Sequence, residues 1–139
     1  MTDRHGPQRT GRFQVEIDGF QWTGFREVNL PASSTEESEG TAPWGETTLQ
    51  DLQMERSVQG NDTLMYDWRE AVRDDDSSEG LHDVTVILQD EEGAEVTRWE
   101  FEDAWPKYYR PPQLDASEDD GVATERVTLA YSSVERIDD

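Results

Sequence analysis

At 139 residues, 32% of them hydrophobic and 32% charged, the chain suits one domain built around one core. Its 33 acids against 12 bases set a formal net charge of −21, a balance that repels nucleic acid and anionic membranes as partners. The absence of cysteine excludes disulfides, thiolate metal sites and thiol nucleophiles. Lys107 is the single lysine among the bases, and scarce lysine beside abundant Asp and Glu resembles the habit of proteins adapted to molar internal salt. The polar opening MTDRHGPQRTGR carries no apolar h-region, and no later run reaches the length of a span, so the chain is expected to be made and kept in the cytoplasm, or to leave by lysis.

Residues 1–11 are polar, with Gly6, Pro7 and Gly11, and are expected to form a flexible arm. Phe13, Val15 and Ile17 alternate with Gln14, Glu16 and Asp18, the pattern of a half-buried strand, and Asp18-Gly19 is a hairpin signal before a second strand that bends near Gly24. Residues 31–46, PASSTEESEGTAPWGE, lose periodicity and read as an extended, solvated loop. Trp44 within it either folds back on its own domain or docks on a partner. Residues 47–58 resume alternation as one mixed strand, Leu49, Asp51, Gln53 and Glu55 opposing Gln50, Leu52, Met54 and Arg56.

Beyond Gly60, Asn61 is placed to cap a helix and Asp62 to sit in its positive first turn. Leu64, Met65, Trp68 and Val72 form a core stripe at helical spacing, and Asp74, Asp75 and Asp76 end the helix near Arg73, because acids oppose its negative end. Asp83–Leu88 is a β-branched strand, turned by Asp90-Glu91-Glu92-Gly93 into a strand with Thr97, Trp99, Phe101 and Trp105 on its inner parity. Pro106, Pro111 and Pro112 predict a wide corner, and a last strand runs from Val122 towards Ile137 with Val127, Leu129 and Tyr131 inward. The sum is about six strands and one helix in a single domain: a mainly β (α+β) fold, a small antiparallel β-barrel or sandwich with one flanking α-helix.

Chemistry is sparse. His5 and His82 are expected in loops, without a second histidine at ligand spacing, and the acidic runs 74–76 and 118–120 do not follow the spaced ligand order of an EF-hand. No GxSxG turn and no glycine-rich phosphate loop occurs. Catalytic, cofactor and metal residues are therefore expected to be absent, and the chain is expected not to be an enzyme.

The segments FQVEIDG (13–19), GFREV (24–28), ERSVQGNDTLMYDWREAV (55–72), VTVILQDEEGAEVTRWEFEDAWPKYY (84–109), LDAS (114–117) and VATERVTLAY (122–131) stand in an order that resembles the tail-tube proteins of contractile phage tails and related injection systems. The most specific piece is Trp99, Phe101, Ala104, Trp105, Pro106, Tyr108 and Tyr109, followed by Leu114-Asp115-Ala116 and the last strand. The chain departs from the family pattern in its acidic, serine-rich loop at 31–46, in Ser57 where glycine is frequent, and in Tyr131 where histidine often follows the last strand.

The resemblance implies a structural subunit of an inner tube, forming stacked hexameric rings around a lumen. Its partners would be itself, a surrounding sheath, and baseplate and terminator proteins, with no cofactor, no membrane and no direct nucleic-acid recognition. It also implies cytoplasmic assembly into a released particle or virion tail, with Trp22, Trp44, Leu49, Tyr108, Tyr109 and Arg110 as candidate subunit-interface residues. The alternatives are a baseplate-proximal tube initiator, which shares the domain, and an acidic nucleic-acid mimic, which needs carboxylates at phosphate-like spacing on one face. An enzyme would need a deep pocket with convergent polar groups.

Overall fold

A computed structural model describes residues 12–35, 47–58, 60, 62–73, 80–117 and 121–138. The strands in chain order are β1 (Phe13–Ile17), β2 (Phe20–Trp22), β3 (Phe25–Asn29), β4 (Ser33–Thr35), β5 (Thr47–Leu49) and β6 (Leu52–Ser57). Helix α1 (Leu64–Arg73) follows, then β7 (His82–Gln89), β8 (Glu95–Arg110), β9 (Thr124–Ala130) and β10 (Ser133–Asp138). All the strand pairs are antiparallel.

Two sheets share β8. In the first, β2-β1-β7 leads to the first half of β8, with β10 on its far side. In the second, the other half of β8 is followed by β9, β6 and β3. Strands β4 and β5 form a separate two-stranded ribbon. The inner faces enclose one cluster that includes Val15, Ile17, Leu52, Met54, Val84, Phe101, Val127 and Leu129, and α1 adds Met65 and Trp68.

The turns form where their residues demand. Asp18 and Gly19 both have positive φ, 52° and 84°, which suits the tight hairpin joining Ile17 to Phe20. The Asp18 carboxylate accepts the Asp83 N–H at 2.9 Å and meets His82 Nδ1 at 2.6 Å, tying the hairpin tip to the start of β7. At α1, Leu64 N–H donates to Asp62 Oδ1 at 3.0 Å, and Asp67 N–H to the Thr63 carbonyl at 2.8 Å. The cap is thus built by Asp62 and Thr63; the expected cap Asn61 lies outside the described residues, as do residues 1–11 and 36–46. Trp68 Nε1 donates to the Gly80 carbonyl at 2.8 Å, and a Cβ on Gly80 would meet Val72 Cγ2 at 2.4 Å, so only glycine lets the chain pass this close to the helix.

Several expectations need correction. The ten strands among the described residues exceed the six expected because the chain breaks where it changes sheet. Thr23-Gly24 carries β2 into β3, with Gly24 at φ 91°, and residues 131–132 carry β9 into β10. The single strand expected over 47–58 is two, since β5 belongs to the ribbon and β6 to the second sheet. The loop expected from residue 31 contains β4.

The wide link expected at the prolines opens at Pro111 and Pro112, between the end of β8 and the start of β9, but Pro106 lies inside β8, which runs on to Arg110. The strand bends within itself at Asp103, whose φ is 54°. There Phe101–Ala104 opposes Val84–His82 with one extra residue, a bulge that reverses the inward parity. Ala104 and Pro106 are buried in consequence, and Trp105, expected inward, is not part of the core cluster. Pro106 is tolerated because residues 105–110 pair with β9 alone among the described residues, so no ladder needs its missing donor on the other side. Leu64, expected in the helix stripe, is exposed.

Candidate functional site

The second sheet places its residues in cross-strand rows. On its inner face Val28, Met54, Val127 and Tyr109 stand in register, and beside them Phe25, Arg56 and Glu125. On its outer face one row is Glu27, Glu55, Arg126 and Arg110, and the next is Asn29, Gln53, Thr128 and Tyr108.

Arg56 is 1% exposed. Its Nε donates to the Thr23 carbonyl at 2.8 Å, its Nη1 to Glu125 Oε2 at 3.2 Å, and its Nη2 to Asp62 Oδ2. Its guanidinium also lies over Trp22 at 5.6 Å and Phe25 at 5.7 Å. The other oxygen of Glu125 accepts the Tyr109 hydroxyl at 2.8 Å. A buried charge is tolerable only when paired and hydrogen-bonded, and this cluster meets that condition while joining β2, β6, β8, β9 and the start of α1. The hydrogen bond from Arg56 holds the Asp62 carboxyl below its ordinary value against the opposing effect of burial. Burial first, and then the bond to the Glu125 carboxylate, push the Tyr109 phenol up.

The outer face is polar and differently connected. Arg126 Nη2 contacts Glu55 at 2.6 Å and Glu27 at 3.4 Å, and Lys107 Nζ meets Asp51 at 2.6 Å. Arg110, opposite Arg126, has a buried Nε with no hydrogen-bond partner.

The candidate interface residues fall in different places. Trp22 lies edge-on to Trp68 at 5.9 Å and packs on the core. Tyr109 faces inward, its ring 6.3 Å from that of Tyr66. Tyr108 is 52% exposed on the outer face, and Arg110 is beside it at the open edge. Leu49 ends β5 in the ribbon, and Trp44 lies outside the described residues. Sequence reasoning missed the buried Glu125 and the depth of Arg56. The available signal was parity: Glu125 shares that of Val127, and Arg56 that of Leu52 and Met54.

A depression of about 320 Å³ on the first sheet is lined in part by Asp83, Glu100, Glu102, Ser133 and Glu135, with Ser133 donating to Glu102 at 2.7 Å. It brings carboxylates together without a base-activated nucleophile. Among the described residues no group of three His, Asp or Glu side chains is placed to hold a metal ion, and no helix is long and apolar enough to cross a membrane.

The family model of the T4-like virus tail tube protein gp19 matches residues 9–135. The chain belongs to this family. The family is one of structural tube proteins, components of phage-type tails, and the subunit is not an enzyme. No curated protein matches significantly by sequence. Among solved structures, the sheath–tube complex of an extracellular contractile injection system, PVC, in its extended state aligns with TM-score 0.82 and 19% identity, covering 100% of this chain and 99% of that one. The tube-terminating cap of the anti-feeding prophage aligns at 0.75 with 20% identity, covering 96% and 92%. Hcp1 from Flavobacterium johnsoniae aligns at 0.67 with 14% identity, covering 91% and 98%. These likenesses establish the mainly antiparallel fold with one helix.

Proposed function

We propose that copies of this chain close into six-membered rings that stack into a hollow inner tube of a contractile tail or injection system. A sheath surrounds that tube, baseplate and terminator proteins bound it, and assembly takes place in the cytoplasm. The observation that carries this is the second sheet: four strands, a polar outer face and, among the described residues, two outer strands each paired on one side only, in a chain of the tail tube family. Open edges are a liability unless a neighbour completes them. Three antiparallel steps separate β8 from β3, so the two edges run in opposite directions and a second copy set beside the first continues the antiparallel pattern. A repeated head-to-tail contact of this kind closes into a ring when its rotation closes. The polar outer face then borders a wet lumen. Tyr108 and Arg110 belong to the lateral contact, and Trp44 and Leu49 to contacts between subunits or rings.

Negative-stain micrographs and sedimentation of the purified protein in molar salt test this, with rings and tubes expected. A strictly monomeric species at high concentration and high salt overturns it. The baseplate-proximal initiator shares the domain, and tubes many rings long grown from the protein alone distinguish a tube-body subunit from it.

A further inference from the structure

Among the described residues most cations are already committed within the subunit. Arg12 and Arg69 donate to backbone carbonyls, and Arg56, Arg98, Lys107, Arg126 and Arg136 each reach a carboxylate. Arg110 is not, although the chain offers 33 acids. Its Nε is shut off from water without an acceptor, a state that costs free energy until an acceptor arrives. In register beside it stands Arg126, a like charge whose two carboxylates, Glu55 and Glu27, lie further along the same row. The row is therefore polar: guanidinium at the β8 edge, carboxylate at the β3 edge, with the Glu27 side chain 49% exposed.

We infer that this row sets the lateral contact between copies, Arg110 of one subunit receiving the Glu27 carboxylate of the next. The inference rests on the tube assignment above. The occupant follows from charge complementarity and from strand direction. A second copy placed with its β3 beside the free edge of β8 brings Glu27 to the end of the row that holds Arg110, and the row then repeats as two acids and two arginines around the ring. Each β8 edge loses its unmet donor, and each β3 edge gains a second cation for Glu27, which Arg126 reaches only at 3.4 Å. The reverse arrangements, β8 against β8 or β3 against β3, set arginine against arginine or acid against acid, so the row selects head-to-tail closure over symmetric pairing. Arg26 lies in the bulge between Phe25 and Glu27, out of register with the row, and serves as a control for net charge.

The test uses the full-length protein at a fixed salt concentration where the native sequence forms rings, with assembly followed by sedimentation and micrographs. Arg110→Gln, Arg110→Glu and Glu27→Arg should each raise the protein concentration needed for rings by about tenfold or more, as expected when one member of a desolvated interfacial charge pair is lost. The double variant Arg110→Glu with Glu27→Arg should return to within about threefold of native, and Arg26→Gln should stay within about threefold as well. Thermal unfolding of the dilute subunit should not be lowered by Arg110→Gln, since no intrachain partner is removed and an unmet buried donor goes with the side chain. Three results overturn the inference while leaving the tube assignment standing: rings at unchanged concentration in Arg110→Glu, no recovery in the double variant, or a loss in Arg26→Gln equal to that in Arg110→Gln. Unfolding of the Arg110→Gln subunit also overturns it, because Arg110 would then be a folding residue. Failure of the native chain to form rings at any salt concentration overturns the tube assignment itself.

Discussion

On the inner face of the four-stranded sheet Arg56 donates to Thr23, Asp62 and Glu125, whereas on the outer face of the same sheet Arg110 has an Nε that meets nothing. Both are arginines on neighbouring rows of one sheet, and both stand opposite a charged residue, Glu125 for Arg56 and Arg126 for Arg110. The difference separates two uses of charge. A closed network inside fixes how helix and strands meet, and an open one outside is left for a neighbour. The closed network should govern the stability of the subunit and little else; the open one should govern assembly and leave stability alone.

The largest effect expected on either side is on assembly, through salt. Each copy carries −21, so repulsion between subunits opposes ring and tube formation wherever it is not screened. The Debye length is about 3 Å at about 1 M salt and about 30 Å at about 0.01 M, so whole subunits repel one another only in the dilute case. Tubes should persist in molar salt and fall to rings and subunits on desalting, with divalent cations restoring them at lower concentration than monovalent ones. Sedimentation across a salt series measures this, and tube length independent of salt would mean that arginine–carboxylate contacts already neutralise the interfaces.

Next in size is Arg56→Ala. It leaves Glu125 buried without its cation and frees the start of α1, and breaking a buried pair from one side costs about 3–5 kcal/mol. Denaturant unfolding should register a loss of that order; a loss under about 1 kcal/mol would erase the contrast between the two faces. Tyr109→Phe removes one donor from Glu125 and should cost about 1–3 kcal/mol in the same assay.

Asp62 adds a pH dependence of known sign. Its carboxyl is held below its ordinary value of 3.8, mainly by Arg56. A depressed carboxyl contributes stability that is fully present above the unfolded value and is lost as pH falls through the folded one. The stability difference between the native chain and Asp62→Asn should therefore be constant above about pH 5 and shrink below about 3.8, read from urea titrations at several pH values. A difference that grows in acid would reverse the assignment. The smallest effect belongs to the outer face: Arg126→Gln breaks partly exposed pairs with Glu55 and Glu27 and should cost no more than about 1 kcal/mol of subunit stability.

Much of the architecture was legible in the chain itself, because alternation, turn chemistry and helical spacing are local. Phe13–Ile17, the Asp18-Gly19 hairpin, the Asp90–Gly93 turn, the Met65–Trp68–Val72 stripe and the inward set Val127 and Leu129 all follow from residues within one element. The ordered segments from Phe13 to Tyr131 carried the tail-tube resemblance for the same reason, since a family pattern is a succession of such local choices. What only the tertiary structure decided depends on single backbone torsions or on contacts between distant residues. The positive φ of Asp103 reverses the parity of β8, so Ala104 and Pro106 turn inward where Trp105 was expected, and no periodicity encodes that reversal. Arg56 and Glu125 lie 69 residues apart, and whether such charges are buried is settled by which strands become neighbours. Arg110 differs from Arg126 only by standing at an edge, a property of sheet order that the amino-acid string does not state.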